Sequence, residues 1–196
     1  MNSPTPTFGD ALVLRVVIRD VEPPVWRSIV MPAELSLGAL HFVLQAAFGW
    51  KDCHLHEVRV GELHFAPPSD EDELLTIDED AAPLGAVART RSTLVYVYDF
   101  GDSWTHDVTV ERVIEGGGDG ASPIKCIGGA RACPPEDCGG PPGYERLLAA
   151  LADPADEEHQ SMRTWVGRAF DPEKFDAATV NKKLATLSKR LQKTRR

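Results

Sequence analysis

The 196-residue sequence has no run of about 18 apolar residues, which excludes a transmembrane helix. Its opening decapeptide, MNSPTPTFGD, lacks basic residues and an apolar core, so it does not read as a secretory signal. The chain is therefore expected in the cytoplasm with its four cysteines reduced. Also missing are the GxSxG nucleophile elbow, the GxxxxGKS/T phosphate loop, the GxGxxG fingerprint and the HExxH helix. No CxxC pair occurs either. Acid is absent after Asp176, where seven of the 21 basic residues lie, so the first 176 residues carry 14 basic against 30 acidic side chains, a net of −16. Such a body repels phosphate backbones, and nucleic acid would have to be held by the basic tail alone.

What is present suits an ordinary globular protein: 42% hydrophobic and 26% charged residues. Residues 1–196 read as one domain with a basic helix end at about 177–196. Strands are expected at 11–20 and 25–31, separated by a turn containing Pro23 and Pro24. Leu37, Leu40, Leu44 and Phe48 recur at helical spacing between Ser36 as N-cap and Gly49, predicting a helix over 37–48 with His41 at its surface edge. Short strands follow at 57–60 and 62–65, then an acidic, proline-bounded excursion over 67–80 and a flexible connector over 115–123. Helical stripes built on Tyr144, Leu147 and Leu151, on Met162, Trp165 and Val166, and on Val180, Leu184, Leu187 and Leu191 close the chain, with Asp171-Pro172 read as a helix start. The sum is an α+β fold: a largely antiparallel sheet, an early helix, and three C-terminal helices covering the sheet.

The organising stretch is 93–113, TLVYVYDFGDSWTHDVTVERV, a hairpin whose tip gathers Asp99, Asp102, Trp104 and His106. A two-residue turn at Gly101-Asp102 puts Val95, Val97 and Asp99 on one face with Trp104, His106 and Val108, and Asp99 within reach of His106. A three-residue turn instead packs Tyr98 and Phe100 against Trp104 and His106, an aromatic face with a histidine tucked into it. An imidazole oriented by a carboxylate is the usual general-base arrangement, and Glu136 and Asp137 are further acids for such a role.

Residues 126–144, CIGGARACPPEDCGGPPGY, fit no periodic pattern, and their mix of glycine and proline implies one ordered shape. Cys126, Cys133 and Cys138 with His106 or His159 could supply three thiolates and an imidazole, a structural zinc set, although spacings of seven and five are not those of a zinc knuckle. A Cys133–Cys138 disulfide is disfavoured in a reducing compartment. Cys53, His54 and His56 also tempt toward a metal site, but strand alternation would send Cys53 and His54 to opposite faces.

Taken together, YDFGDSWTH (98–106), LHFVLQAAFGW (40–50) with His54-Leu55-His56 after it, the 126–144 loop and FDPEKFD (170–176) resemble the plasmid pRiA4b ORF-3-like family over nearly the whole chain. The resemblance implies an α+β domain often encoded near mobile elements, with no assigned chemistry. Its family-type positions are Asp99, Gly101, Asp102, Trp104, His106, Pro134, Pro135, Glu136, Asp137, Gly139, Gly140 and Tyr144. Some members carry resolvase-like labels, yet the nucleophilic serine amid arginines and the helix-turn-helix of a serine resolvase are not found here. The leading expectation is a non-enzymatic interaction module binding a protein, peptide or small ligand through Asp99, Asp102, Trp104, His106, Glu136, Asp137 and Tyr144. A metal-dependent or hydrolytic enzyme and a DNA-handling protein are the alternatives. All of them require the hairpin tip and the cysteine loop to meet in space.

Overall fold

The computed structural model describes residues 6–7, 9–69, 76–116 and 124–194. Parts of the acidic excursion (70–75) and of the connector (117–123), most of the first eight residues and the two terminal arginines lie outside them. The strands are β1 (Ala11–Ile18), β2 (Trp26–Pro32), β3 (His56–Val60), β4 (Leu63–Ala66), β5 (Ile77–Asp78), β6 (Thr93–Tyr98), β7 (Trp104–Ile114) and β8 (Lys125–Ala130). They form one sheet in the order β5-β4-β3-β6-β7-β1-β2-β8, antiparallel except where β4 meets β5. Helix α1 (Leu37–Leu44) runs into a π-helical segment, Gln45–Gly49, and α2 (Leu84–Val87) is a single turn. Helices α3 (Gly140–Ala152), α4 (His159–Val166) and α5 (Ala177–Thr194) complete the chain. The architecture is α+β, as the alternating and helical periodicities require.

Burial explains the order. Leu12, Leu14, Val16 and Ile18 of β1, Leu94, Tyr96 and Tyr98 of β6, and Trp104, Val108 and Val110 of β7 form the sheet's buried face. Leu37, Leu40, Val43 and Leu44 of α1 and Leu184 and Leu187 of α5 join the same core. Ser36 caps α1 by accepting from Ala39 N at 3.0 Å. The cap of α5 is Asp176, which accepts from Ala178 N and Thr179 N at 2.9 and 3.1 Å. Asp171-Pro172 opens only a turn: Asp171 accepts from Glu173 N as a cap would, but the next helix begins at Ala177.

The hairpin register differs from the two-residue turn. Tyr98 faces Trp104 and Tyr96 faces His106, so the loop spans Asp99 to Ser103 and closes through Ser103 N to Asp99 O at 2.6 Å. A shift of one residue would turn Val95 and Val97 inward and drive both tyrosines to solvent. Burial of two aromatic rings therefore selects the parity, which is that of the aromatic-face alternative. Asp99 leaves the strand altogether.

Arg27 of β2 is buried and faces no carboxylate. Its guanidinium donates to Ala47 O (3.0 Å), Trp26 O (2.8 Å), Ala130 O (2.9 Å) and Arg131 O (3.0 Å). Phe48 and Phe175 rings flank it at 4.9 and 4.6 Å. The charge is thus compensated by carbonyl dipoles and π faces. Arg27→Lys keeps the charge but not the planar fork, and leaves buried carbonyls unpaired; we expect a loss of about 2–4 kcal/mol in urea unfolding.

Candidate functional site

Three sequence-distant loops meet at the end of the β6–β7 hairpin: its own tip (99–103), the loop before β3 (50–55), and the segment between β8 and α3 (131–139). Glu136 is the node. Its Oε1 accepts from Tyr98 Oη at 3.1 Å and from Lys51 N at 2.6 Å. Tyr98 Oη in turn accepts from Cys53 N at 3.1 Å. Asp102 Oδ2 accepts from Gly139 N at 3.0 Å, and a Cβ on Gly140 (φ 67°) would lie 2.5 Å from Asp102 O. The tip and the cysteine-bearing loop are in contact, and glycine is what allows that approach.

At this junction stands His54. Its Nε2 lies 3.1 Å from Asp137 Oδ1, 3.5 Å from Asp99 Oδ2 and 3.8 Å from Glu136 Oε2. Neither His54 Nε2 nor Glu136 Oε2 has a hydrogen-bond partner, although both atoms are buried. Asp99 (φ 60°) and Asp137 (φ 56°) hold left-handed backbone, a conformation aspartate tolerates better than most residues. Asp99 Oδ1 accepts from Gly101 N and Asp102 N at 2.9 and 3.3 Å, leaving Oδ2 toward His54. The expectation for Cys53 and His54 is overturned here. β3 begins only at His56, so alternation does not separate them, and a ligand atom of each lies within 4.8 Å of the other and of Glu136.

Other sequence candidates sit elsewhere. His106 is fully buried behind the tip. Its Nδ1–H donates to Trp104 O at 3.1 Å, which leaves Nε2 to accept from Trp50 Nε1 at 3.4 Å. Both nitrogens are committed, so the proposed Asp99–His106 pair does not form and His106 is not free to bind a metal. Trp104 and Tyr144 are core residues. Among the described residues, Cys126, Cys133, Cys138 and His106 do not come together as a ligand group. Burial pushes the Cys138 thiol up to about 12 and raises those of Cys133 and Cys126. His159 Nδ1 donates to Ala150 O at 2.8 Å, tying α4 to α3. All four cysteines are free thiols.

His41 is buried, contrary to its expected surface position. Its Nε2 contacts Asp52 Oδ1 at 2.9 Å and its Nδ1 contacts Tyr96 Oη at 2.9 Å. With the carboxylate accepting from Nε2–H, Nδ1 must accept from the tyrosine hydroxyl. Gln45 Nε2 donates to Tyr96 Oη at 3.1 Å, and Gln45 Oε1 accepts from Asp52 N at 2.8 Å. His56 stacks on His41 at 3.5 Å and pairs with Glu79 Oε2 at 3.0 Å. This network fixes the start of the loop that presents His54.

Burial, with His56 alongside, pulls His41 down to about 4, and burial pulls His106 down to about 4. Both are neutral in the fold, whereas the unfolded chain protonates them below about pH 6.5. Their contribution is complete above that pH and lost as pH falls toward 4, on the order of 3 kcal/mol each. Urea unfolding between pH 7.5 and 5 should show a steep stability loss, and His106→Gln should flatten that slope by roughly half.

The fold and junction define a class: an α+β protein presenting an imidazole among carboxylates on loops at one end of an antiparallel sheet. The chain belongs to the plasmid pRiA4b ORF-3-like protein family, whose model matches residues 10–179. It is 40% identical over 171 residues to the uncharacterized protein y4hQ of Sinorhizobium fredii, covering 86% of this chain and 84% of that one. A crystal structure of a protein of unknown function, MM3350 from Methanosarcina mazei Go1, superposes with a TM-score of 0.80 at 33% identity, covering 88% of this chain and 98% of the other. Among the described residues no helix is long and apolar enough to cross a membrane.

Proposed function

We propose that this is a cytoplasmic, single-domain accessory module, associated with mobile elements, that docks a protein or peptide segment on the three-loop junction. One observation carries the reading: large apolar side chains stand exposed around the polar cluster. Leu55 (71% exposed) follows His54, Phe100 (51%) follows Asp99, and Trp165 (52%) lines the same groove as Glu136 and Asp137. That groove, of about 530 Å³, is walled by Trp50, Lys51, Pro134, Pro135 and Phe170. Exposed aromatic and aliphatic side chains beside fixed polar groups are the composition of interface hot spots.

DNA handling is the weaker fit. The basic α5 spends its apolar face on β8 and the π-helical segment, with Asn181 paired to the Cys126 backbone at 2.9 Å in both directions. The remaining body carries the charge that repels phosphate.

Replacing Leu55, Phe100 and Trp165 together by serine should leave the melting temperature within a few degrees, because exposed positions cost little. Photo-crosslinking from a probe at Asp137 in cells of the source organism should then lose the adduct that the native chain gives. An undiminished adduct would sink the docking reading; strong duplex-DNA binding by anisotropy at about 50 mM salt would replace it with the nucleic-acid one.

A further inference from the structure

The polar centre of the junction carries an inference independent of docking. Three carboxylates converge on one imidazole nitrogen, so the cluster is net negative whether or not His54 is protonated. Two of the carboxylates are already oriented from outside. Glu136 spends Oε1 on Lys51 N and Tyr98 Oη, and Asp99 spends Oδ1 on the amides of its own loop. Each keeps its second oxygen for the centre. The Glu136 side chain is only 7% exposed, and its Oε2 faces His54 Nε2 with no donor to either atom. A buried carboxylate oxygen without a donor is costly unless a cation stands before it. Ligands fixed by outer hydrogen bonds, with unpaired atoms pointing at a common point, are the arrangement found around bound metals.

Two overlapping ligand groups share His54: one with Asp99 and Asp137, the other with Cys53 and Glu136, and in each the ligand atoms lie within 4.8 Å of one another. We propose that His54, Asp99, Glu136 and Asp137 bind one divalent transition-metal ion, with Cys53 at the margin of the set. An imidazole with carboxylates, and a thiol within reach, suits zinc or manganese better than magnesium or calcium, which prefer oxygen alone. This set is distinct from the one built on Cys126, Cys133, Cys138 and His106. The exposure of Asp137 leaves a side open toward the groove.

The test uses protein purified without a polyhistidine tag, stripped with EDTA and dialysed. Calorimetric titration with zinc chloride, and separately with manganese chloride, at pH 7.5 should give one ion per chain for at least one of them. At about a hundredfold excess over Kd the melting temperature should rise by about 5–10 °C. Zinc loading should slow the reaction of the exposed Cys53 with Ellman's reagent. Glu136→Gln and Asp137→Asn, both nearly isosteric, should each weaken the affinity tenfold or more. Should the buried Glu136→Gln fail to fold, the exposed Asp137→Asn carries the same reading. No stoichiometric binding of either ion, or a Kd unmoved by these substitutions, overturns the proposal. No partner is present in this titration, and the triple serine variant should take up the ion like the native chain, so docking and metal binding stand or fall separately.

Discussion

The arrangement rests on a buried cation with no anion opposite it. Arg27 reaches from the second strand and gathers the carbonyls of Trp26, Ala47, Ala130 and Arg131, from β2, from the π-helical segment and from the end of β8. Two of these places, the π-helical segment and the end of β8, are where regular structure gives way to a site loop. The chain leaves Gln45–Gly49 directly into the loop carrying Cys53 and His54, and leaves β8 directly into the loop carrying Glu136 and Asp137. One guanidinium therefore sets the relative position of both take-off points. A lysine could not, because a single ammonium cannot fork to carbonyls from three directions in one plane.

From there the polar interactions descend in order toward the surface. The His41–Tyr96–Gln45–Asp52 network holds the first loop against the buried face of β6, and the Tyr98–Glu136–Lys51 node ties the second loop to the first. The hairpin tip is locked by its own aspartates, Asp99 onto Gly101 and Asp102, and Asp102 onto Gly139. Loops supply the chemistry here while strands and helices supply the rigidity. The surface they share is polar at its centre and apolar at its margin, which suits recognition as well as ion binding.

Much of this was legible in the amino-acid sequence. The alternation of β1 and β7, the Leu37–Leu44 stripe behind Ser36, and the α5 leucines follow from local periodicity. The meeting of the tip with the cysteine loop was legible only as a requirement, since no local rule joins residues 37 positions apart. What stayed hidden shares a cause. The hairpin parity depended on which side chains the rest of the core would cover, and two tyrosines outweighed two valines. The His41 position followed from Tyr96, 55 residues away, offering a hydroxyl. Cys53 and His54 were argued apart because strand alternation was applied to residues that lie in the loop ahead of β3. Arg27 carried no signal at all, because an arginine inside a strand reads as an exposed position until its carbonyl partners are known.

The histidines show how the site separates itself from the scaffold. His41, His56, His64, His106 and His159 each make a hydrogen bond through a ring nitrogen to a carboxylate, a hydroxyl or a carbonyl. Two of these, His41 and His106, are held neutral by burial, which makes them part of the core. Among the described residues only His54 keeps a buried ring nitrogen with no hydrogen-bond partner, and it does so with three carboxylates around it. The side chains that position this residue, Arg27, His41, Gln45, Tyr96 and Tyr98, all have hydrogen-bond partners, whereas the buried Nε2 of His54 and the Oε2 of Glu136 that faces it have none. Two unpaired atoms that face one another at the end of a well-paired support distinguish a place built to receive something from isolated unpaired atoms in the core, such as Trp104 Nε1 and Tyr144 Oη.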